Sequence, residues 1–304
     1  MASNVIETSR VSKIFGEVRA VDGIDLAVQA GEVFGLIGHN GAGKTTLFKM
    51  MLGLVPVTSG EIRIDGRPVR GEAFRQVRRR LGYLPENVVF YDNLTGLETL
   101  HFFAGLKNAP KSECAPLLER VGLSHAAGQR VRGYSKGMRQ RLGFAQALLG
   151  HPALLFLDEP TGGLDPEGIR EFYRILGEMK LDGVTVILTS HILSEIQARV
   201  DRLAIIRTGR IQALGTVQSL REEMDLPLWF EARLADGAAD PLRRALAHLQ
   251  VGQVDIQGER LSIHCRRELK MAVLKALSSL NGCVLDLHLR EPSLEDVFLG
   301  YSGH

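Results

Sequence analysis

The segment from Gly38 to Thr46 reads GHNGAGKTT, which places Gly38, Gly41 and Gly43 ahead of Lys44, Thr45 and Thr46. Glycine has no Cβ, so a loop built on it lets backbone N–H groups close around an anion. The whole run, His39, Asn40 and Ala42 included, is a candidate cradle for phosphate. Lys44 would reach the β- and γ-phosphates of a nucleoside triphosphate, and the Thr45 hydroxyl would ligate a divalent cation. A glycine-rich turn without function is the competing reading. Against it stand the apolar run GEVFGLI before the loop and the helix-spaced KTTLFKMMLGL after it, the strand–loop–helix context that phosphate binding requires.

A second cluster lies at the end of LLFLDEPT, where Asp158 and Glu159 follow a very apolar run. Adjacent carboxylates repel each other, so a cation held by Asp158 and a proton-accepting task for Glu159 explain them better than packing does. Two acids capping the next helix are the alternative when the pair is taken alone. A third segment, YSKGMRQ, precedes a strongly helical run. Ser135 and the Gly137 backbone would sit at a helix N-terminus suited to an anion, although an isolated motif of this kind is an ordinary cap.

The elements that must position these groups follow from periodicity. VIETSRVSKIF and VRAVDGIDLAV alternate around Gly16 and Gly23 and predict an antiparallel β subdomain. Between about residues 87 and 150, GLETLHFFAGL, APLLERVGL and MRQRLGFAQALLG each carry an apolar helical face, which predicts a helical insertion. ALLFLDEP and VTVILTSH flank the helix-like PEGIREFYRILGEMK, the order of buried parallel strands, so the core is α/β. After about Leu226 the pattern becomes LWFEARL, PLRRALAHL, VGQVDIQ, ERLSIHC, ELKMAVLKALSSL and CVLDLHLR. That is βαββαβ, a small α+β ferredoxin-like layout. The expected domains are residues 1–225 and 226–304.

Bulk composition agrees and excludes some classes. A chain of 304 residues suggests about two domains, and 45% hydrophobic with 24% charged residues describes a globular protein rather than a disordered or fibrous one. The net charge of +2 offers no pull toward nucleic acid, which is not an expected partner. Cys114, Cys265 and Cys283 are too scattered for a disulfide framework or a metal pair, which fits a reducing cytoplasm. No leader-like stretch is present, and no window approaches the ~18 apolar residues of a membrane span. A role at a membrane would therefore come through partners. RQVRRR, Arg75 to Arg80, reads as a solvated helix face, and His264 and Cys265, as strand neighbours, point to opposite faces and read as structural.

YSKGMRQ resembles the signature motif of ABC ATPases, whose commoner form begins Leu-Ser-Gly-Gly-Gln. Ser135 and Gly137 match that form, while Tyr134, Lys136 and Met138 depart from it. The other motifs follow in the family's order along the first ~220 residues, one domain's length. Phe15 is similar to the aromatic that stacks on adenine. GGLDP, with Asp165, is similar to the segment that communicates across the dimer, and His191 in TSHIL to the switch histidine near the γ-phosphate. Where the family carries Gln, GYLPENVVFY has Glu86, whose charge adds to that of Asp158 and Glu159 and should lean on the metal or stay partly protonated.

The resemblance implies an α/β ABC-type nucleotide-binding domain with a RecA-like core, an antiparallel β subdomain and a helical subdomain. It implies ATP and Mg²⁺ as cofactors, Lys44, Glu159 and His191 as catalytic groups, and Thr45, Asp158 and Glu86 around the metal. Ser135, Lys136, Gly137 and Met138 would contact the nucleotide of a second copy. The expected assembly is a homodimer beneath integral-membrane permease subunits, on the cytoplasmic face of the cell membrane. LPE and PSLEDVF resemble the exporter-type branch, whose ATPases carry a C-terminal appendage. Within it, LPENVVFY and YSKGMRQRLGFAQALLG are most similar to the ATPase subunit that assists copper-centre assembly in nitrous oxide reductase, which would add a periplasmic accessory protein beyond the permease. A drug or ion exporter is the alternative cargo class. A soluble ABC ATPase acting on nucleic acid fits less well, because this chain shows one cassette and no sustained heptads, and intact Glu159 and His191 argue against a non-hydrolysing scaffold.

Overall fold

The computed structural model describes residues 3–223, 227–280 and 282–291, and the chain divides between Thr216 and Val217 into two units. The first opens with two long antiparallel strands, β1 (Asn4–Phe15) and β2 (Val18–Gln29), whose apolar positions Ile6, Val11, Val21, Ile24 and Val28 are buried. β3 (Val33–Ile37), buried along its whole length, leads through the glycine loop into α1 (Lys44–Met51). β4 (Ser59–Ile64) and β5 (Arg67–Pro68) complete a sheet of order β2-β1-β4-β5. α2 (Gly71–Arg79) turns Phe74 and Val77 inward and leaves its arginines exposed. β6 (Leu81–Leu84) follows.

Three helices then occupy the region expected to be helical. α3 (Gly96–Lys107) starts at a capping box in which Thr95 and Glu98 satisfy each other's backbone N–H groups. α4 (Cys114–Arg120) and α5 (Lys136–Leu148) follow. The chain returns to the core with β7 (Leu154–Leu157), α6 (Pro166–Leu181), β8 (Thr185–Ser190), α7 (Leu193–Ile196), β9 (Arg202–Arg207) and β10 (Arg210–Gly215). These strands form a sheet of order β10-β9-β3-β8-β7-β6. All its pairings are parallel except β9 with β10. That antiparallel edge departs from the parallel order that the sequence predicts for the core. It follows from a two-residue turn at Thr208 and Gly209, with φ of +46° and +77°, too short for a parallel crossover and of the twist that suits a hairpin. β7 and β8 are buried throughout, and Phe156 on β7 meets Phe48 on α1 edge to face at 5.4 Å. This contact fixes the strand that carries the acids against the helix that follows the glycine loop.

The second unit contains α8 (Val217–Glu223), β11 (Leu228–Leu234), α9 (Ala239–Leu246), β12 (Gln253–Gln257), β13 (Arg260–Cys265), α10 (Lys270–Ser278) and β14 (Val284–Arg290). Its antiparallel sheet has order β12-β13-β11-β14. One face packs Phe230, Leu234, Ile263 and Cys265 against Leu242, Leu246, Val273 and Leu277. The other carries Trp229 between His264, 5.6 Å between ring centroids, and Arg290, whose guanidinium lies 5.4 Å from the ring. The segment PSLEDVF, Pro292 to Phe298, lies outside the described residues.

The approach of α5 to β6 leaves no room at Gly82. A Cβ there would lie 2.3 Å from the Ala147 carbonyl oxygen and 2.4 Å from Leu155 Cδ2. Gly82→Ala should therefore lower the urea midpoint by the equivalent of ~1–3 kcal/mol, the usual cost of overpacking. Gly105→Ala, in α3 with no atom within 4 Å of the new Cβ, should leave the midpoint unchanged or raise it. Equal behaviour of the two variants in urea melts would contradict the tight contact.

Candidate functional site

The glycine loop needs its glycines for different reasons. A Cβ at Gly38 would lie 2.4 Å from the Ile206 carbonyl oxygen. Gly41 adopts φ +81°, open to glycine at little cost. Gly43 combines both, with φ +105° and a Cβ position 2.3 Å from the Ala20 carbonyl oxygen. Lys44 is only 6% exposed. Its Nζ donates to the Gly38 carbonyl at 2.6 Å and lies 3.4 Å from the His39 carbonyl. It also stands 3.4 Å from Glu159 Oε1. The lysine thus closes its own loop, beneath a cleft of about 330 Å³ lined by Ala20, the segment from His39 to Thr46, Glu86 and Glu159.

Asp158 follows β7 and donates its N–H to the Leu84 carbonyl of β6 at 2.9 Å. Its side chain is 1% exposed. Oδ1 accepts from Thr189 Oγ1 at 2.7 Å and from Thr45 Oγ1 at 3.4 Å, while the buried Oδ2 has no hydrogen-bond partner. An orphaned buried carboxylate oxygen is costly, and beside a threonine hydroxyl it forms the hard oxygen donor set that a small divalent cation takes. No group of three or more histidine, cysteine or acidic side chains gathers for a metal among the described residues. A cation here would complete its shell with water and phosphate oxygens.

Glu159 has φ +47°, a left-handed conformation that costs a non-glycine residue about 1–2 kcal/mol. Its N–H donates to Thr189 Oγ1 at 2.8 Å. Its Oε2 lies 2.7 Å from His191 Nδ1, while its buried Oε1 has the Lys44 ammonium 3.4 Å away but no hydrogen bond. One hydroxyl, that of Thr189, therefore orients both acids. It was missed in the sequence because a threonine in an apolar strand reads as a β-former; its place beside the strand carrying the acids is the only signal. Burial first, then the charges of Asp158 and Glu86, push the Tyr83 phenol up to about 12, so it stays neutral beside the acids.

The cleft brings together His39, Asn40, Gly41, Ala42, Gly43, Lys44, Thr45, Thr46, Glu86 and Glu159, with Asp158 hydrogen-bonded to Thr45 and His191 to Glu159. Phe15, Ser135, Lys136, Gly137, Met138 and Asp165 are not among the described residues that line it. Phe15 is half exposed at the end of β1, with Lys13 Nζ 4.8 Å from its ring centre. Ser135 caps α5 by accepting from the Met138 N–H at 3.2 Å, and Lys136 and Gly137 open that helix. Asp165 caps α6 through the Gly168 N–H at 2.9 Å.

Comparison with known proteins identifies the family. The ABC transporter family model matches residues 21–162. An uncharacterised ABC transporter ATP-binding protein of Synechocystis sp. is 38% identical over 310 residues, covering 98% of this chain and 84% of that protein. The bacitracin transport ATP-binding protein of Bacillus licheniformis is 35% identical over 306 residues, covering 99% and 98%. A solved structure described as the ATP binding subunit of an ABC transporter superposes with a TM-score of 0.66 at 32% identity, over 72% of this chain and 92% of that one.

Thr189→Val keeps the shape of the side chain and removes the hydroxyl shared by Asp158 and Glu159. Changes in such supporting groups typically cost ~10–100-fold in activity or metal affinity, and ATP turnover measured across a Mg²⁺ titration should fall by that much. Parental turnover at every Mg²⁺ concentration would show that the two acids hold their geometry without it.

Proposed function

This chain belongs to the ABC transporter ATP-binding proteins, and from that membership we propose that it hydrolyses ATP as one of a pair of identical subunits beneath integral-membrane permease subunits. The observation that carries the mechanism is the placement of Glu159, with the Lys44 ammonium 3.4 Å from one carboxylate oxygen and His191 at 2.7 Å on the other, at the edge of the glycine-loop cleft. When ATP enters, Lys44 exchanges the Gly38 carbonyl for β- and γ-phosphate oxygens. Glu159 accepts the proton of the water whose oxygen attacks the γ-phosphorus as the bond to the bridging oxygen breaks. His191 keeps the carboxylate aimed at that water. Thr45 and Asp158, with Glu86 at the cleft, would hold Mg²⁺, which supplies charge neutralisation on the phosphate oxygens. The orphaned Asp158 Oδ2 supports that placement.

Ser135 and Gly137 stand outside their own chain's cleft, at a helix N-terminus whose N–H groups and dipole favour an anion. This supports a site completed in trans, with the start of α5 facing the partner's γ-phosphate and Lys136 and Met138 beside it. The exposed ring of Phe15 is assigned to adenine, and Asp165 to contact across the pair. No helix among the described residues is long and apolar enough to cross a membrane, and attachment to its cytoplasmic face is assigned to the permease.

The bacitracin-named relative favours export of a small molecule as the coupled task. Copper-centre maturation, with a periplasmic accessory protein, is the second reading and rests on LPENVVFY and YSKGMRQRLGFAQALLG. Neighbouring genes separate them: a nitrous oxide reductase gene with a periplasmic repeat protein marks the second, and a drug-efflux permease the first. We read residues 226–304, the part of the second unit that follows α8, as a ferredoxin-like accessory domain that supports pairing, after a catalytic domain of 1–225. Its βαββαβ order and the sheet order β12-β13-β11-β14 support the fold assignment.

Glu159→Gln keeps the shape of the base and removes its proton-accepting charge, so steady-state ATP turnover should drop by ~10²–10⁴-fold. ATP should stay bound, because one anion beside the triphosphate is gone, and the pair should persist on size-exclusion chromatography. Lys44→Ala should bind ATP poorly and remain unpaired. Parental turnover in Glu159→Gln would assign the base elsewhere. A chain ending at residue 225 should still bind ATP while pairing more weakly in sedimentation; undiminished pairing would remove the role given to the C-terminal unit.

A further inference from the structure

Gln140 is a polar side chain only 4% exposed, and the chemistry above gives it no task. It lies on α5, one turn after Lys136, and its Nε2 donates to the Pro160 carbonyl at 3.0 Å. Pro160 directly follows Glu159, the residue held at φ +47°. The turn beyond is closed by the Gly162 N–H on the Glu159 carbonyl and the Leu164 N–H on the Thr161 carbonyl, both at 3.1 Å. Those bonds shape the turn but do not tie it to α5.

The same stripe of α5 comes close to this turn at three further places. A Cβ at Gly163 would lie 2.8 Å from Lys136 Cδ, and one at Gly137 would lie 2.9 Å from the Gly163 carbonyl oxygen. Arg141 Nη2 stands 3.8 Å from Asp165 Oδ1. Positions 136, 137, 140 and 141 share one helix face, and that face is fitted to residues 160–165. The helix capped by Ser135 and the turn carrying Glu159 are thus joined, and Gln140 makes the hydrogen bond from the helix to the residue next to the base.

We propose that Gln140 is a positioning residue for Glu159 of its own chain: its amide holds the Pro160 carbonyl and so ties each catalytic base to the helix that serves the partner's ATP. The proposal rests on Glu159 being the base. Without the amide, a buried carbonyl loses its donor and the left-handed Glu159 backbone loses a restraint, so the carboxylate drifts from the attacking water. ATP binding by the Lys44 loop is untouched. Because Ser135 and Gln140 share a helix, displacement of one chain's helix by the partner's nucleotide reaches that chain's own base through this bond.

Mixed pairs, assembled from differently tagged full-length chains, separate action within a chain from action across the pair. The readout is single-turnover hydrolysis of prebound ATP on adding Mg²⁺, which reports the one intact base. In a pair of Gln140→Leu with Glu159→Gln, that base sits in the chain lacking the amide. Its rate should fall at least about tenfold below a pair of parental with Glu159→Gln, as small misplacements of reacting groups do. In a pair of parental with the double variant Gln140→Leu/Glu159→Gln, the intact base keeps its own Gln140, and the rate should match that reference. Gln140→Met, close in length to Gln, serves as the second variant if Gln140→Leu does not stay folded. Equal loss in both mixed pairs, or loss confined to the pair with the double variant, would overturn the proposal. Parental turnover in a Glu159→Gln homodimer would instead overturn the base assignment, and the positioning role with it.

Discussion

The parallel pairing of β3, β8 and β7 is the constraint on which the rest depends. Ile37 lies beside Ser190, and Leu157 beside Leu188. The next residues of these strands, Gly38, His191 and Asp158, must therefore emerge along one edge of the sheet. The carboxyl ends of parallel strands are where open α/β folds place their ligands. Here the strand order brings to that edge a loop poor in side chains, a pair of acids and an imidazole. Three buried apolar strands supply the stiffness, and the Phe48–Phe156 contact carries it to α1.

Electrostatics at this edge is poised rather than relaxed. A buried ammonium, Lys44, faces Glu159, while Asp158 keeps an oxygen without a hydrogen bond. Glu159 holds an unfavourable backbone conformation. Such features persist only where the surroundings over-determine them. Thr189 does so from the sheet, by bonding to both acids, and Gln140 from the helical side, through Pro160. The polar network is high in cost and nearly complete, and the partners it lacks are those a triphosphate and its metal would bring.

The chain also holds two halves of chemistry that do not meet within it. The Lys44 loop lines a cleft, whereas the start of α5, capped by Ser135, is not part of that lining. In the proposed pair a second copy would join them without new residue types, since each chain would offer the same two surfaces. The hydrogen bond from Gln140 on α5 to the Pro160 carbonyl links that helix to the turn beside Glu159, and so links the two halves within one chain.

The amino-acid sequence by itself determined what depends on neighbours along the chain. Glycine spacing before Lys44, the apolar run ending in Asp158 and Glu159, and the helical and strand periods of both units are local patterns written by backbone sterics and burial. The strand and helix order of the C-terminal unit was legible for the same reason. Tertiary structure alone decided that the hydroxyl of Thr189 would sit 2.7 Å from an acid 31 residues away, and that Gln140 would reach a carbonyl 20 residues away. It also decided that β10 would return as an antiparallel edge and that Glu159 would take a left-handed turn. A threonine in a strand and a glutamine on a helix carry no periodic signal of their partners, because the bonds they make are set by the register and packing of elements distant in the chain.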